Sequence, residues 1–201
     1  METRNSSNKI RESKRVSIIA LMTALALVGN YILVAVPNVE LGSTILFVTA
    51  YIFGINIAVW VTVIMSLVFG IINPWGGFIP QIWLSQVIGW FYIIAVGSIM
   101  GKQRPDMHVI EPKKWELAIT GAFVTLIFEQ VTNLGYSIAF SIPYIVAATT
   151  AIPFSIVHII SNSVIFSQVV PRLNSILRNE FKDLIWNTGS NEVDTLESNL
   201  S

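Results

Sequence analysis

The segment FEQVTNLG, residues 128–135, places a carboxylate, Glu129, inside a run of otherwise apolar or uncharged side chains that begins near residue 115. A run of about twenty such residues is long enough for a helix to cross ~30 Å of hydrocarbon. A charge at the centre of such a helix costs ~2.5–3.5 kcal/mol on insertion scales, so it is rare and usually functional. The segment therefore predicts a membrane helix that carries a functional acid.

The composition of the whole chain agrees with a membrane protein. Of its 201 residues, 53% are hydrophobic and only 12% are charged, whereas a soluble domain has about 25% charged residues. The formal net charge is zero, so no basic character indicates nucleic acid as a partner. The chain has no cysteine, which excludes disulfides, thiolate catalysis and Cys-ligated metals. We expect an all-α integral membrane protein.

The apolar runs predict a bundle of six transmembrane helices. Gly54 to Asn56 is expected to form a tight turn between the second and third, and Pro74 to Gly77 breaks the chain before the fourth. The predicted helices lie near residues 16–36, 41–55, 57–72, 78–100, 115–136 and 151–170.

The connection between the fifth and sixth helices is predicted from its proline. Pro143 indicates that residues 137–150 form an outer loop or an interfacial segment rather than more helix. Thr149 or Thr150 is then expected to cap the sixth helix, with Pro153 in its first turn.

The distribution of cations predicts the orientation. All twelve Lys and Arg residues lie in the first fifteen residues, in 102–114 or in 172–182. Six spans put these three regions on one side, which is cytoplasmic because positive short loops stay inside. The prediction is a multi-pass protein of the cell membrane with both termini inside. It has a basic N-terminus (1–15), a membrane domain (16–172) and a polar tail (173–201) expected to be largely disordered.

Two neighbouring helices carry polar residues at similar depth. In the fifth helix Glu129, Asn133 and Tyr136 share one face, since they are spaced at i, i+4 and i+7. In the sixth, His158 and Asn162 are also four residues apart. At 1.5 Å per residue, Glu129 lies roughly 21 Å above the inner end and His158 about 10 Å below the outer end. We expect both pairs in the outer half of the membrane.

The fourth helix adds Gln81, Trp83 and Gln86, with Gln81 and Trp83 near the outer mouth. Convergent polar groups among aromatic side chains are typical of a small-molecule pocket, here reached from outside, with Trp83 stacked on a ring of the ligand. Other interpretations stay open. In one interpretation, Glu129 and His158 pair only with each other. In another, the asparagines form hydrogen bonds that hold neighbouring helices together. Glu40, near the outer surface, is either solvated or a ligand contact.

Catalytic and phosphate-binding motifs are missing from the sequence. It has no His-Glu-x-x-His pattern, no Gly-x-Ser-x-Gly elbow and no phosphate-binding glycine loop. We therefore expect neither an enzyme nor a bound metal or cofactor, and a transporter would need a separate ATPase. The alternatives are a proton-linked carrier or membrane enzyme working alone through Glu129 and His158, and a structural subunit of a membrane complex.

Three features carry a family resemblance over about residues 12–175. The first is an Ala-x-x-x-Ala pattern, Ala20 to Ala24, after the basic N-terminus. The second is the pair of short helices in LGSTILFVTAYIFGINIAVWVTVIMSLVFGIINPWGGF, and the third is the polar segments FEQVTNLG and PFSIVHIISN. With these features the chain resembles the substrate-binding membrane subunits (S components) of energy-coupling factor (ECF) vitamin transporters.

The resemblance implies a six-helix protein that captures a vitamin or related nutrient and docks on a shared energising module. That module comprises a transmembrane coupling subunit and two cytoplasmic ATPase subunits. Ala20 and Ala24 are then the expected docking surface, although an internal helix contact would use the same alanines. The loop from Pro37 to Ser43 is expected to cover the pocket. Thiamine-like, cobalamin-like and queuosine-like ligands are all compatible with the sequence.

Overall fold

The computed structural model describes residues 2–74, 76–102 and 112–181, with side chains from residue 12 onward. Within these ranges the chain is all α and has no strand, so the all-α class is confirmed. Each of the six predicted apolar runs corresponds to one helix. The helices are α1 (Glu2–Tyr31), α2 (Gly42–Phe53), α3 (Ile55–Ile71), α4 (Pro80–Lys102), α5 (Lys114–Phe140) and α6 (Tyr144–Glu180).

Helix α2 is the centre of the bundle. All twelve of its residues are buried, and it contacts α1, α3, α4 and α6. A helix that is apolar all round is stable when it is enclosed by other helices. At 1.5 Å per residue, α2 is about 18 Å long, too short to cross ~30 Å of hydrocarbon by itself. Among the described residues, three helices are long and apolar enough to cross a membrane: α4, α5 and α6.

Two glycines of α4 allow it to approach the backbone of α2 closely. A Cβ at Gly97 would lie 2.7 Å from the carbonyl oxygen of Phe47. A Cβ at Gly101 would lie 2.3 Å from the carbonyl oxygen of Tyr51. Small residues four apart permit such close helix contacts. Gly54, with φ of 81°, connects α2 directly to α3 in a conformation that favours glycine.

The described cations of α4, α5 and α6 lie at one end of the bundle, which we call the basic end. Lys102 follows Gly101, which contacts the last turn of α2. Phe181, at the end of α6, packs edge-on against Phe53 with ring centroids 6.0 Å apart. The first turns of α5 adjoin the end of α4, since Thr120 lies 3.7 Å from the Met100 sulfur. The opposite end, with the α1–α2 and α5–α6 connections, is the cavity end.

The outer surface of α6 is apolar. Ile152, Ile156, Ile160 and Val164, spaced every four residues, are 51–60% exposed. Such a stripe of large exposed apolar side chains is unusual in a soluble monomer. It fits a helix whose outer face contacts lipid.

The prediction for the α5–α6 connection is wrong. Helix α5 continues to Phe140 and α6 already begins at Tyr144, so only Ser141 to Pro143 connect them. Pro143 precedes the helix instead of ending one, since its fixed φ of −57° suits the entry to a helix. Thr149 and Thr150 are therefore interior residues of α6. Their hydroxyls donate to carbonyl oxygens of the preceding turn instead of capping the helix.

The outer limits of the first and last helices also differ from the prediction. Helix α1 begins at Glu2, so the basic N-terminus is helical and continuous with the apolar run. Helix α6 extends to Glu180, so the first part of the predicted tail, 173–180, is ordered helix. The rest of that tail, 182–201, lies outside the described residues.

Replacing Gly101 with Ala should destabilise the bundle, because the new Cβ meets backbone atoms of α2 that cannot rotate away. Overpacking of this kind costs about 1–3 kcal/mol. The free energy of unfolding in detergent measures the effect. Gly77→Ala is the matched control, since a Cβ at Gly77 meets nothing within 4 Å. Equal stability of the two variants would contradict the close α2–α4 contact.

Candidate ligand-binding site

Glu129 and His158 form a buried contact between α5 and α6. Glu129 Oε1 lies 2.6 Å from His158 Nδ1, an arrangement in which the ring N–H donates to the carboxylate. Glu129 is 7% exposed and His158 is 5% exposed. The second oxygen of Glu129, Oε2, accepts a hydrogen bond of 2.7 Å from the Ser155 hydroxyl. The two side chains that the sequence placed at similar depth thus touch directly.

Glu40 is the third member of this cluster and comes from the α1–α2 loop. Its Oε2 accepts a hydrogen bond of 2.8 Å from the Ser43 backbone N–H, in the first turn of α2. Its Oε1 lies 3.6 Å from His158 Nε2, on the side of the ring away from Glu129. Burial raises the pKa of the Glu40 carboxyl, but the His158 ring and the Ser43 amide outweigh burial and lower that pKa below its ordinary value.

The cluster gathers all the acid and base side chains of two long apolar stretches, residues 16–101 and 117–171. Between residues 16 and 101, Glu40 is the only Asp, Glu, Lys, Arg or His. Between residues 117 and 171, Glu129 and His158 are the only ones. Charged groups inside apolar helices are expensive unless they are paired. The fold therefore concentrates its buried charges at one place.

A cavity of about 550 Å³ adjoins the cluster at the cavity end. This volume is typical of small-molecule sites, about 300–1,000 Å³. Both carboxylates and the imidazole line it, together with aromatic, amide and hydroxyl side chains. The lining residues are Asn30, Val34, Val36, Pro37, Asn38, Val39, Glu40, Ser43, Phe69, Gln86, Trp90, Phe128, Glu129, Thr132, Asn133, Tyr136, Ala151, Phe154 and His158.

A series of aromatic rings connects α3 to the cluster along the cavity. Phe69 packs edge-on against Trp90 with ring centroids 5.8 Å apart. Trp90 lies 5.9 Å from Phe128, and Phe128 lies 6.0 Å edge-on from the His158 ring. Rings in tilted and edge-on contact hold one another in place. The cavity therefore has a rigid aromatic wall that ends at the imidazole.

Five of the eight predicted ligand residues line this cavity: Glu129, Asn133, His158, Gln86 and Tyr136. The side-chain amides of Asn133 and Gln86 have no hydrogen-bond partner among the described residues, and both are partly buried. Unpaired amides can donate to and accept from a ligand. Glu40 Oε1 and His158 Nε2, which also line the cavity, likewise have no hydrogen-bond partner within the described part of the chain.

The other three predicted ligand residues lie elsewhere. Asn162, 1% exposed, donates a hydrogen bond of 2.9 Å to Thr125 Oγ1, so it joins α5 to α6 as the glue interpretation expects. Trp83 donates to the Ser66 carbonyl at 2.9 Å and lines a second cavity, of about 440 Å³. Gln81 is exposed and lines neither cavity.

Several lining residues were not identified from the sequence. Glu40 was left open between solvent and ligand, although its isolation as an acid was a usable signal. Asn30, buried at the end of α1, makes an unusual contact of 3.3 Å from its amide nitrogen to the Met65 sulfur. Phe69 and Phe154 carry no sequence pattern that separates them from other apolar residues, so only the fold reveals them.

The two alanines predicted for docking face away from the bundle. Ala20 and Ala24 are exposed, whereas Met22 and Ala26, on the other side of α1, are 0% exposed. An internal helix contact by Ala20 and Ala24 is therefore excluded. The same face of α1 carries two exposed apolar side chains, Val16 and Val28.

The arrangement of the cluster disfavours a metal site. Glu40 and Glu129 lie against opposite nitrogens of one imidazole, so the three groups cannot converge on one ion. Among the described residues no group of three His, Cys, Asp or Glu is placed to hold a metal.

Comparison with protein-family models, with curated proteins and with solved structures gives no match for this chain.

The hydrogen bond between Asn162 and Thr125 should couple the two residues energetically. A double-mutant cycle with Thr125→Val and Asn162→Ala is expected to give a coupling of about 0.6 kcal/mol, and at most ~1.7 kcal/mol, as for other buried membrane hydrogen bonds. The free energy of unfolding of the four proteins in detergent measures it. Strict additivity would contradict the contact.

Proposed function

We propose that this chain is the substrate-binding membrane subunit of an ECF-type importer, which captures a vitamin or related small nutrient from outside the cell. One observation carries the proposal: a cavity of small-molecule size adjoins the buried Glu40–His158–Glu129 cluster and an aromatic wall. A structural subunit has no use for such a cavity, since a void inside a bundle costs stability.

The proposed orientation follows from the two ends of the bundle. Lys102, Lys114 and Arg178 belong to the basic end, which the positive-inside tendency assigns to the cytoplasm. The cavity end then faces outward, where the nutrient enters. In this orientation α4, α5 and α6 cross the membrane, and α2 is enclosed by its neighbours.

The polar groups of the cavity wall have distinct roles in this proposal. Glu129 accepts hydrogen bonds from the nutrient while His158 holds its carboxylate in place. Asn133 and Gln86 offer unpaired amides that fix the orientation of the ligand. Leaving a buried polar group unmatched costs about 1–3 kcal/mol, so the wall selects a ligand that forms hydrogen bonds.

Docking on the energising module uses the outward face of α1. Ala20 and Ala24 are exposed and four residues apart, so a partner helix can approach the α1 backbone closely. The proposed partners are a transmembrane coupling subunit and two cytoplasmic ATPases. ATP hydrolysis by these partners would drive uptake.

The first test is mass spectrometry of small molecules released from gently purified protein. A capture subunit should retain one nutrient, and Glu129→Gln should lower its retention roughly tenfold or more, because a hydrogen bond to a charged group is lost. Glu180→Gln, an exposed site at the far end of α6, is the control and should retain the nutrient.

Other outcomes would support the competing functions. Transport into liposomes without ATP would favour a proton-linked carrier based on Glu129 and His158. If no ligand is found and Glu129→Gln prevents assembly, the polar residues are structural and the capture proposal fails.

The docking surface has a separate test. Ala20→Trp and Ala24→Trp should abolish co-purification of the ATPase module while leaving ligand retention unchanged, since a large side chain blocks close helix approach. Ile160→Trp, on the exposed face of α6, is the control and should keep the module bound. Loss of the module with the control variant but not with the alanine variants would place docking elsewhere.

A further inference from the structure

The proton positions of the Glu40–His158–Glu129 cluster follow from its contacts. Two of the four carboxylate oxygens accept hydrogen bonds: Glu129 Oε2 from the Ser155 hydroxyl and Glu40 Oε2 from the Ser43 backbone N–H. With Ser155 and Ser43 donating in this way, these two oxygens carry no proton. The remaining two oxygens face the two nitrogens of His158.

Counting these protons gives the charge of the cluster. One proton lies in the 2.6 Å contact between Nδ1 and Glu129, and a second one is bound at Nε2 when the ring is protonated, where it faces Glu40 Oε1 across 3.6 Å, an ion-pair distance longer than a hydrogen bond. Two carboxylates and one imidazole that share two protons have a net charge of −1, whichever atom holds each proton. Without the second proton the charge is more negative still.

No Lys or Arg among the described residues lines the cavity, where it could balance that charge. The sequence has none between residues 16 and 101 or between 115 and 171. Taking an unbalanced charge out of water costs several kcal/mol. A wall of one charge sign and low dielectric also concentrates ligands of the opposite sign. The described residues around the cavity therefore carry one uncompensated negative charge.

The aromatic wall suits the same kind of ligand. Phe69, Trp90 and Phe128 line the cavity and continue to the cluster. A cation within about 6 Å of an aromatic face is attracted by the ring, and most strongly by Trp. Because the carboxylates flank opposite sides of the imidazole, the geometry excludes a shared metal ion. It favours an organic cation.

We propose that the cavity selects a ring-containing organic cation, whose positive charge balances the Glu40–His158–Glu129 cluster and lies against the aromatic wall. This inference rests on the proposed capture function and names the class of nutrient for it. Anions are rejected, since they would add to an unbalanced negative charge. Neutral molecules of the same shape bind more weakly, because they leave the cluster uncompensated.

The test uses three ring-matched probes that differ in charge: N-methylquinolinium, 4-methylquinoline and quinoline-4-carboxylate. Binding to the full-length detergent-purified protein at pH 8 is followed by quenching of tryptophan fluorescence. The cation should bind roughly tenfold or more tightly than the neutral probe, and the anion more weakly than both. Equal or reversed affinities would overturn the inference, since a further proton would then balance the cluster.

Variants test whether the preference for a cation depends on the Glu40–His158–Glu129 cluster. Glu40→Gln and Glu129→Gln should each reduce the cation-to-neutral ratio to near one, whereas Glu180→Gln should keep it. If a variant does not fold, the comparison of probes on the unmodified chain still decides the matter. An unchanged ratio in both folded cluster variants would contradict the assignment.

The identity of the retained nutrient separates this inference from the function on which it rests. A retained molecule that is cationic at neutral pH supports both. A retained neutral or anionic nutrient overturns the charge preference and leaves capture intact. Absence of any retained molecule or bound probe overturns capture itself.

Discussion

The contact between Glu129 and His158 is the constraint on which the rest of the structure depends. It joins the two longest apolar helices, α5 and α6, in one register, and only three residues connect them. Neither side chain is stable alone inside an apolar bundle, because a buried charge without a partner costs several kcal/mol. In the pair, Nε2 of His158 still faces Glu40. This contact places the α1–α2 loop over the Glu129–His158 pair.

The length of α2 explains why a cavity exists there. At about 18 Å, α2 is roughly half as long as α4, at ~35 Å, and α5, at ~40 Å. Its glycine contacts with α4 hold it toward the basic end, where Gly101 meets Tyr51. Its first turn, at Ser43, lines the cavity. The space beyond that turn is enclosed by longer helices and is not filled by α2.

The sequence predicted the parts of the structure that depend on composition and helical spacing. Long apolar runs predicted the helices, and counting residues along the fifth and sixth helices predicted that Glu129 and His158 lie at similar depth. The prediction of the α5–α6 connection was wrong because a proline is compatible both with the end of one helix and with the start of the next. Residue spacing alone does not decide which of the two Pro143 marks. Trp83 and Asn162 were assigned to the ligand because residue type does not show which side of a helix faces a cavity.

The contact of Glu40 with His158 is one that helical residue spacing cannot predict. Glu40 lies in a loop, so no helical period relates it to His158, and their contact spans more than a hundred residues of chain. The available signal is that Glu40 has no other acid or base near it in the sequence. A charge inside an apolar stretch needs a partner, so its isolation indicates a contact with another isolated charge. Counting isolated charges would have identified all three members of the cluster.

The length of α6 has a mechanical consequence. Its 37 residues give a length of about 55 Å, and it returns beside α5, which is shorter by about 15 Å. A hydrocarbon slab of ~30 Å cannot enclose an upright helix of that length. A helix of this length that crosses a membrane either tilts or extends past the hydrocarbon. Its last two turns, with Arg178, still pack on the bundle, since Leu177 is 5% exposed and Phe181 contacts Phe53, so they lengthen the basic end together with the end of α2.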